Sequence, residues 1–412
     1  MTRITLISTM LASLFSHAVF AQAGILDPTF GTGGLVTTAI GSLNDKCFGV
    51  AIRPDGKIIA VGSTADSLRE RFAATQYLQN GVVDSTFGIQ GHAILSTGSV
   101  QDRAYSVAIQ PDGKIVMAGA SDFYGALSMT VLRINPDGTA DNSFGTAGIV
   151  TLQIDYYNTA AYAVAIQPDG KILAAGYTDH NGLSKSEIAV VRFNADGTLD
   201  QTFANAGVAI TEVFQLEEAF SIALQPDGKI LVVGSTLNGS VGNIVIARYN
   251  ANGALDGGFG ANGIVTTAVG SYFSFGHSVV LQQDGKIVVG GSLWDTNTSG
   301  FFALLRFMPD GSPDQSFGSN GTAIAKTGAN PEEKALLIQP DGKLVLVGEA
   351  KQNPYEKFLV TRFNPDGSAD INFGTNGMAT ADFGNFSSST AALLQQDGKI
   401  VVAGYYVPGI GN

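Results

Sequence analysis

Asp-Gly-Lys followed by Ile or Leu returns seven times along this chain, with the aspartates at Asp55, Asp112, Asp169, Asp227, Asp284, Asp341 and Asp397. Successive copies stand 57, 57, 58, 57, 57 and 56 residues apart. A period this constant means one structural unit used repeatedly, each copy burying its apolar face against the next. Length alone, 412 residues, suggests two or three domains. The period makes them one array instead.

Each copy carries the same punctuation. The aspartate is followed by Gly56, Gly113, Gly170, Gly228, Gly285, Gly342 or Gly398, in contexts such as Gln167-Pro168-Asp169-Gly170-Lys171-Ile172. Pro presets φ, Asp bonds back to nearby backbone, and Gly accepts the left-handed conformation that ends a hairpin loop. Gln283 and Gln396 replace Pro in two copies, where Gly still serves the turn. An Asp-x-x-Phe signature opens each unit, at Phe30, Phe87, Phe144, Phe203, Phe259, Phe317 and Phe373; Gly follows in all but one, where Ala204 stands. Short runs such as Gly34–Thr38, Tyr162–Ile166, Lys229–Gly234 and Phe302–Phe307 read as strands, rich in β-branched residues and bounded by Gly. A second tight turn, as in Asn194-Ala195-Asp196-Gly197, ends the unit.

Four short strands per unit, without 3.6-residue periodicity, predict an all-β fold, a seven-bladed β-propeller. The repeats fall at approximately 26–82, 83–139, 140–198, 199–254, 255–312, 313–368 and 369–412. With the strand before Pro-Asp-Gly innermost, both repeated turns lie on one face and both variable loops on the other. The last unit lacks the strand carrying Arg-Phe. Leu35–Thr38 then pairs directly with its second strand, or leaves a thin blade, or the chain is a truncated form of something longer.

Asp-x-x-Phe-Gly, Gln-Pro-Asp-Gly-Lys-Ile and Arg-Phe-Asn-Pro-Asp-Gly together resemble the delta-60 repeat family of bacterial secreted β-propellers, from Gly24 to the end. The resemblance implies the fold; it carries no general activity or site residue.

Met1–Ala23 reads as a secretory signal: Arg3, the apolar Ile4–Phe15, and Ala21-Gln22-Ala23 as a cleavage site. That apolar run is too short to span a bilayer, so a protein without a transmembrane segment, secreted to the extracellular space, cell surface or periplasm, is expected. The formal net charge of −12 argues against nucleic acid or an anionic membrane as partner. Cys47 is the sole cysteine, which excludes an internal disulfide.

No cofactor is expected. Paired acids such as Asp137/Asp141, Asp196/Asp200, Asp310/Asp314 and Asp366/Asp370 have the chemistry of calcium ligands, but Asn80 and Asn252 replace the first acid elsewhere, which favours turn formation. Asp295-Thr-Asn297-Thr-Ser299-Gly300 begins like a calcium loop, with Arg306 at the position that needs Glu. His92, His180 and His277 lack zinc spacing. Arg133, Arg192, Arg248, Arg306 and Arg362 are read as partners of acids in their own repeat, with Gln76 replacing them in the first. No nucleophile elbow or phosphate loop occurs.

The unrepeated aromatics of the variable loops are the candidate ligand-binding residues: Phe123, Tyr124, Tyr156, Tyr157, Tyr272 and Trp294, with Asp295 beside the sole tryptophan. The first functional reading is a monomeric, non-enzymatic binding scaffold for a protein or glycan partner. The alternatives are an extracellular propeller hydrolase or lyase acting on carbohydrate, and a repeat spacer of a larger adhesin.

Overall fold

The computed structural model describes residues 23–41, 43–154, 158–179, 185–238, 241–269, 273–294, 300–352, 355–383 and 386–407. Among these there are 25 strands and no helix. Repeat one supplies β1 (Asp45–Ile52), β2 (Ile58–Ala65), β3 (Glu70–Tyr77) and β4 (His92–Leu95). Repeat two gives β5 (Gln101–Ile109), β6 (Ile115–Asp122), β7 (Leu127–Ile134) and β8 (Ile149–Leu152). Repeat three gives β9 (Thr159–Ile166), β10 (Ile172–Asp179), β11 (Ser186–Phe193) and β12 (Val208–Thr211). Repeat four gives β13 (Gln215–Leu224), β14 (Ile230–Asn238), β15 (Val241–Tyr249) and β16 (Ile264–Thr267). Repeat five gives β17 (Phe273–Leu281), β18 (Ile287–Trp294) and β19 (Gly300–Phe307). β20 (Thr322–Ile338) then runs from the outermost strand of repeat five into the innermost of repeat six. β21 (Leu344–Gln352), β22 (Tyr355–Phe363) and β23 (Met378–Ala381) follow, and repeat seven holds only β24 (Ser387–Leu394) and β25 (Ile400–Tyr406).

Neighbouring strands within each repeat are antiparallel, and in repeats one to six the second strand is buried on both faces. In β10, Ile172 and Ala174 enter a cluster with Val116 and Val131 of repeat two, whereas Leu173 and Ala175 join Ile230 and Val245 of repeat four. A near-continuous apolar run is the composition that two buried faces require. The Asp-x-x-Phe phenylalanines from Phe87 to Phe373 are at most 4% exposed.

The two tight turns form as their chemistry demands. Gly170, at φ 85°, donates its N–H to Gln167 O, and Asp169 Oδ1 accepts from Lys171 N at 3.1 Å. In the second turn Asp196 Oδ1 accepts from Thr198 N, and Asn80 and Asn252 do the same for Val82 and Ala254. Gly113 packs beside Pro136 and Gly342 beside Pro365, so both kinds of turn share a face.

Each arginine next to last in a third strand has three partners. Arg192 pairs with Asp200 at 2.8 Å, lies over the Phe203 ring at 4.5 Å, and donates to Ala251 O of the next repeat. The acid is thus that of Asp-x-x-Phe rather than the turn acid four residues on. Repeat one divides the work: Gln76 bonds Asp84, and Arg53, standing where other repeats have Gln, donates to Gln76 Oε1 and to Pro136 O.

A chain of backbone hydrogen bonds links consecutive repeats. Gly88 N donates to Asp137 O, Gly145 to Asp196, Ala204 to Asn252, Gly260 to Asp310 and Gly318 to Asp366, at 2.7–2.9 Å. Gly374 N donates to Ala23 O at 2.8 Å, and Gly31 N to Asn80 O at 2.8 Å. The N-terminal segment therefore takes the place of the missing turn of repeat seven, and the boundary expected after Ala23 cuts through the linkage. Residues before Ala23 lie outside those described. Leu35–Thr38 pairs with no strand, so direct pairing with β25 does not occur.

Candidate functional site

The innermost strands are interrupted at the same place in all seven repeats. Phe48, Tyr105, Tyr162, Phe220, His277, Lys334 and Thr390 are each skipped by the pairing register with the second strand. Each is a β-bulge, which turns one side chain away from the sheet plane and recurs beside functional sites. Opposite stand Gly62, Gly119, Gly176, Gly234, Gly291, Gly348 and Gly404. A Cβ on Gly176 would meet Ala160 O at 2.0 Å, and on Gly119 Arg103 O at 1.8 Å. The bulge pushes a carbonyl into the partner strand, and only glycine leaves it room.

The bulged side chains form an arc. Ring centroids of Phe48 and Tyr105 are 5.4 Å apart, Tyr105 and Tyr162 5.2 Å, Tyr162 and Phe220 5.3 Å, and Phe220 and His277 5.2 Å. A residue on one face of a sheet meets only the neighbour on that side. Tyr105 meets both, which places these side chains at the inner edge of the repeats. Thr390 Oγ1 donates to Cys47 O at 2.8 Å, joining the seventh inner strand to the first. All seven positions are half-buried.

The arc is chemically lopsided: aromatic in repeats one to four, titratable in repeats five and six. Glu333, fully buried, precedes Lys334, and its Oε1 accepts from Ser278 Oγ at 2.7 Å. Its backbone N–H donates to Ser292 Oγ at 2.7 Å. Glu333 Oε2 has no hydrogen-bond partner and lies 3.8 Å from His277 Nδ1, itself unpartnered. Burial pushes the Glu333 carboxyl up to about 8 and, with Lys334 beside it, holds His277 well below the usual imidazole range. Both shifts favour the uncharged forms, a neutral acid and a neutral imidazole standing 3.8 Å apart, just beyond hydrogen-bond distance.

The surrounding residues make room for this acid. Positions equivalent to Glu333 hold Cys47, Ala104, Ala161, Ala219, Gly276 and Ser389, and Gly290 stands where other repeats have Val or Ala. A Cβ on Gly290 would lie 3.0 Å from Glu333 Oε1. Glu349, on β21, is also buried, pushed by burial up to about 7, with Oε2 unpartnered. On the other side of the arc, Glu218 is raised by burial and by Asp179, and Arg103 pairs with Glu70.

Of the aromatics expected at the site, Trp294 ends β18, half-buried, with its indole N–H donated to Pro331 O at 2.8 Å. Its ring lies 5.3 Å from Phe275, which stacks 6.4 Å from His277, so it joins the titratable end of the arc. Phe123 and Tyr124 are exposed between β6 and β7, with no aromatic contact to that group among the described residues. Tyr156, Tyr157, Tyr272 and Asp295 lie outside the described residues. The arc itself was missed. Its signal is a column seven residues before each turn aspartate, where four of seven copies are Phe or Tyr.

The paired acids are occupied by protein groups: Asp141 by Arg133 and Lys114, Asp137 by Thr139 of its own turn. Among the described residues no cluster of three His, Cys, Asp or Glu is placed to hold a metal ion. Among the described residues no helix is long and apolar enough to cross a membrane.

The fold is similar to that of several solved structures. A protein of unknown function from Dyadobacter fermentans DSM 18053 is 12% identical over 93% of each chain, with a TM-score of 0.47. Sqt1 of Chaetomium thermophilum is 12% identical over 87% of this chain and 93% of its own, at 0.43. The polysaccharide lyase Uly1 is 10% identical over 88% and 87%, at 0.48. No curated protein matches the chain. A family model described as a domain of unknown function (DUF5122), beta-propeller, matches residues 53–87, 110–144, 167–203, 225–259, 282–317 and 339–373, together more than half of the sequence. The chain belongs to the DUF5122 beta-propeller family.

Proposed function

We propose that this protein is a ligand-binding, seven-bladed propeller whose site is the central arc rather than the variable loops. Seven hairpins, seven inner bulges and the linkage through Ala23 and Gly31 support seven blades in one ring. The triple motif supports reading the blades as delta-60 repeats. The apolar stretch after Arg3 supports export, which would place the site outside the cytoplasm.

The ligand class follows from the lopsided arc. Tyr105, Tyr162 and Phe220 offer a half-buried aromatic surface, and His277 and Lys334, with the buried Glu333 behind them, offer polar groups on the opposite side. A sugar, with apolar faces and many hydroxyls, matches both halves. The observation that carries this reading is the bulge repeated in every inner strand. Trp294, the sole tryptophan, reports on the site by fluorescence during titration with neutral and acidic oligosaccharides. A saturable change is expected, lost in Tyr162→Ala and kept in Tyr124→Ala. The reverse pattern returns the site to the variable loops, and no response to any sugar removes this ligand class.

A second reading, proton transfer to or from the bound ligand, rests on Glu333 and His277 alone. It requires product formation by the wild type that Glu333→Gln abolishes while binding persists.

A further inference from the structure

Because the repeats are copies of one another, a group that one of them leaves unsatisfied stands out against the rest. Two residues before each inner bulge the innermost strands carry an equivalent side chain, charged in four repeats: Lys46, Arg103, Glu218 and Glu332. Three of these charges are met. The Lys46 ammonium lies over the ring of Tyr405, 5.4 Å from its centroid. Arg103 pairs with Glu70 of the preceding repeat at 2.7 Å, and Glu332 pairs with Lys334. Glu218 forms no hydrogen bond and no ion pair among the described residues.

The surroundings of Glu218 are those of a cation. Across the boundary with repeat three it meets the charge of Asp179, which adds to burial in raising its carboxyl. Asp179 accepts from Asn158 Nδ2 at 3.0 Å and has no cationic partner among the described residues, while Lys185 is held by Glu212. Tyr177 stands at the register position of Tyr405, each opposite the residue two before its own repeat's bulge. The ring that carries an ammonium at one boundary therefore has a counterpart here, with a carboxyl where Lys46 stands. Tyr162 of the arc stacks on Tyr177 at 5.8 Å and on Phe220 at 5.3 Å. Burial first, then the charges of Asp179 and Glu218, push the Tyr177 phenol up to about 12, so the acids lie within electrostatic reach of the ring. Glu218, Tyr177, Tyr162 and Phe220 are all half-buried.

We propose that this end of the arc is an ammonium subsite, and that the sugar bound there is an amino sugar carrying its proton. The inference rests on the reading of the arc as a sugar site. Lys46 over Tyr405 shows, within the same molecule, how an ammonium settles against that tyrosine. At Tyr177 the ligand supplies the cation, attracted by the aromatic rings and paired with Glu218. A bound cation also holds Glu218 ionised, reversing what burial and Asp179 do to it.

The test titrates the full chain calorimetrically with a glucosamine oligomer and with its N-acetylated counterpart, at slightly acidic pH where the free amines are protonated. The amine form is expected to bind about ten-fold or more tightly than the acetylated form. Glu218→Gln, which keeps the shape of the side chain without its charge, should abolish that difference by weakening the amine form alone, and Tyr177→Leu should reduce it. Equal binding of both sugars by the wild type, or an amine preference that survives Glu218→Gln, overturns the ammonium subsite and leaves the sugar site standing. Failure of both sugars to bind removes the sugar reading instead. Choline, a quaternary ammonium without a sugar ring, then decides the subsite: saturable binding lost in Glu218→Gln upholds it, and no such binding overturns it.

Discussion

The ammonium of Lys399 lies 2.9 Å from the carboxylate of Asp27, tying the last hairpin of the chain to its first Asp-x-x-Phe segment. Lys171 meets Asp200 in the same way at 3.0 Å, and Lys343 meets Asp370 at 3.2 Å. The contact at the seam differs in its surroundings. Asp200 is 4% exposed and also held by Arg192 and Thr202, whereas Asp27 has Lys399 and its own Thr29. Asp200→Ala leaves a buried guanidinium uncompensated and is expected to cost on the order of 3 kcal/mol. Asp27→Ala should cost clearly less in the same urea titration. Equal losses would mean that the seam is as tightly built as the interior blades.

The proposed leader, Met1–Ala23, meets the same seam. Gly374 N–H donates to Ala23 O, and Gly24 at φ 88° occupies the turn position that Gly367 fills one blade earlier. Cleavage after Ala21 keeps this bond, and cleavage after Ala23 removes it. The intact mass of exported protein is expected to show Gln22 as first residue. A mass beginning at Gly24 would show that the blade linkage does not need Ala23.

Two glycines of one hairpin are required for different reasons, and substitution separates them. Gly170 has φ 85° and open space where a methyl group would stand, so Gly170→Ala costs only backbone strain, about 1 kcal/mol. Gly176 has an ordinary φ, but its Cβ would lie 2.0 Å from Ala160 O. Gly176→Ala must therefore undo the bulge, with a loss of roughly 3 kcal/mol or more and a displaced Tyr162. Thermal melts of the two variants check the ranking, and a milder effect at Gly176 would contradict the bulge.

Arg53 and Gln76 exchange the residue types found at their positions in other blades, and they touch at 2.7 Å. Arg53→Gln leaves Pro136 O and Gln76 without a guanidinium. Gln76→Arg alone sets two guanidinium groups side by side. The double variant rebuilds the arrangement of Gln167 and Arg192. Each single change is expected to cost about 1–2 kcal/mol and the pair much less than their sum, a coupling that a double-mutant cycle measures. Strict additivity would sink the argument.

The repeated parts of the fold were legible because each depends on a local chemistry with few solutions: Pro-Asp-Gly for the hairpin, Asp-x-x-Phe for the link to the next blade. The central arc was harder to see. Phe48, Tyr105, Tyr162, Phe220, His277, Lys334 and Thr390 share a position but not a residue type, and their common cause, a bulge, leaves its mark on the opposite strand as Gly176 and its equivalents. The unrepeated aromatics of the variable loops include Tyr124, which is exposed, and Trp294, whose strand position and tie to Pro331 depend on a contact between blades. Glu333 escaped notice because a single glutamate in a strand has no pattern. Its meaning comes from Gly290 and Ser278, 43 and 55 residues away in sequence.

Glu333 also gives the protein a dependence on pH whose sign is fixed. Its carboxyl has an ordinary value of 4.5 and is pushed up to about 8 by burial, so the folded chain holds a proton that the unfolded chain has released. Stability is therefore lost as pH rises from about 4.5 through 8. His277, depressed in the folded state, acts in the opposite direction only up to its ordinary value of 6.5. The interval from pH 6.5 to 8 isolates the acids, with Glu349 titrating at its lower edge. Wild-type protein should lose about 1–2 kcal/mol across that interval. Glu333→Gln, which keeps the shape and cannot ionise, should lose markedly less, whereas Glu349→Gln should retain most of the decline. Urea titrations at pH 6.5 and 8 decide it: identical slopes for wild type and Glu333→Gln would mean that Glu333 is already ionised in the folded protein, and the neutral acid facing His277 would have to be abandoned.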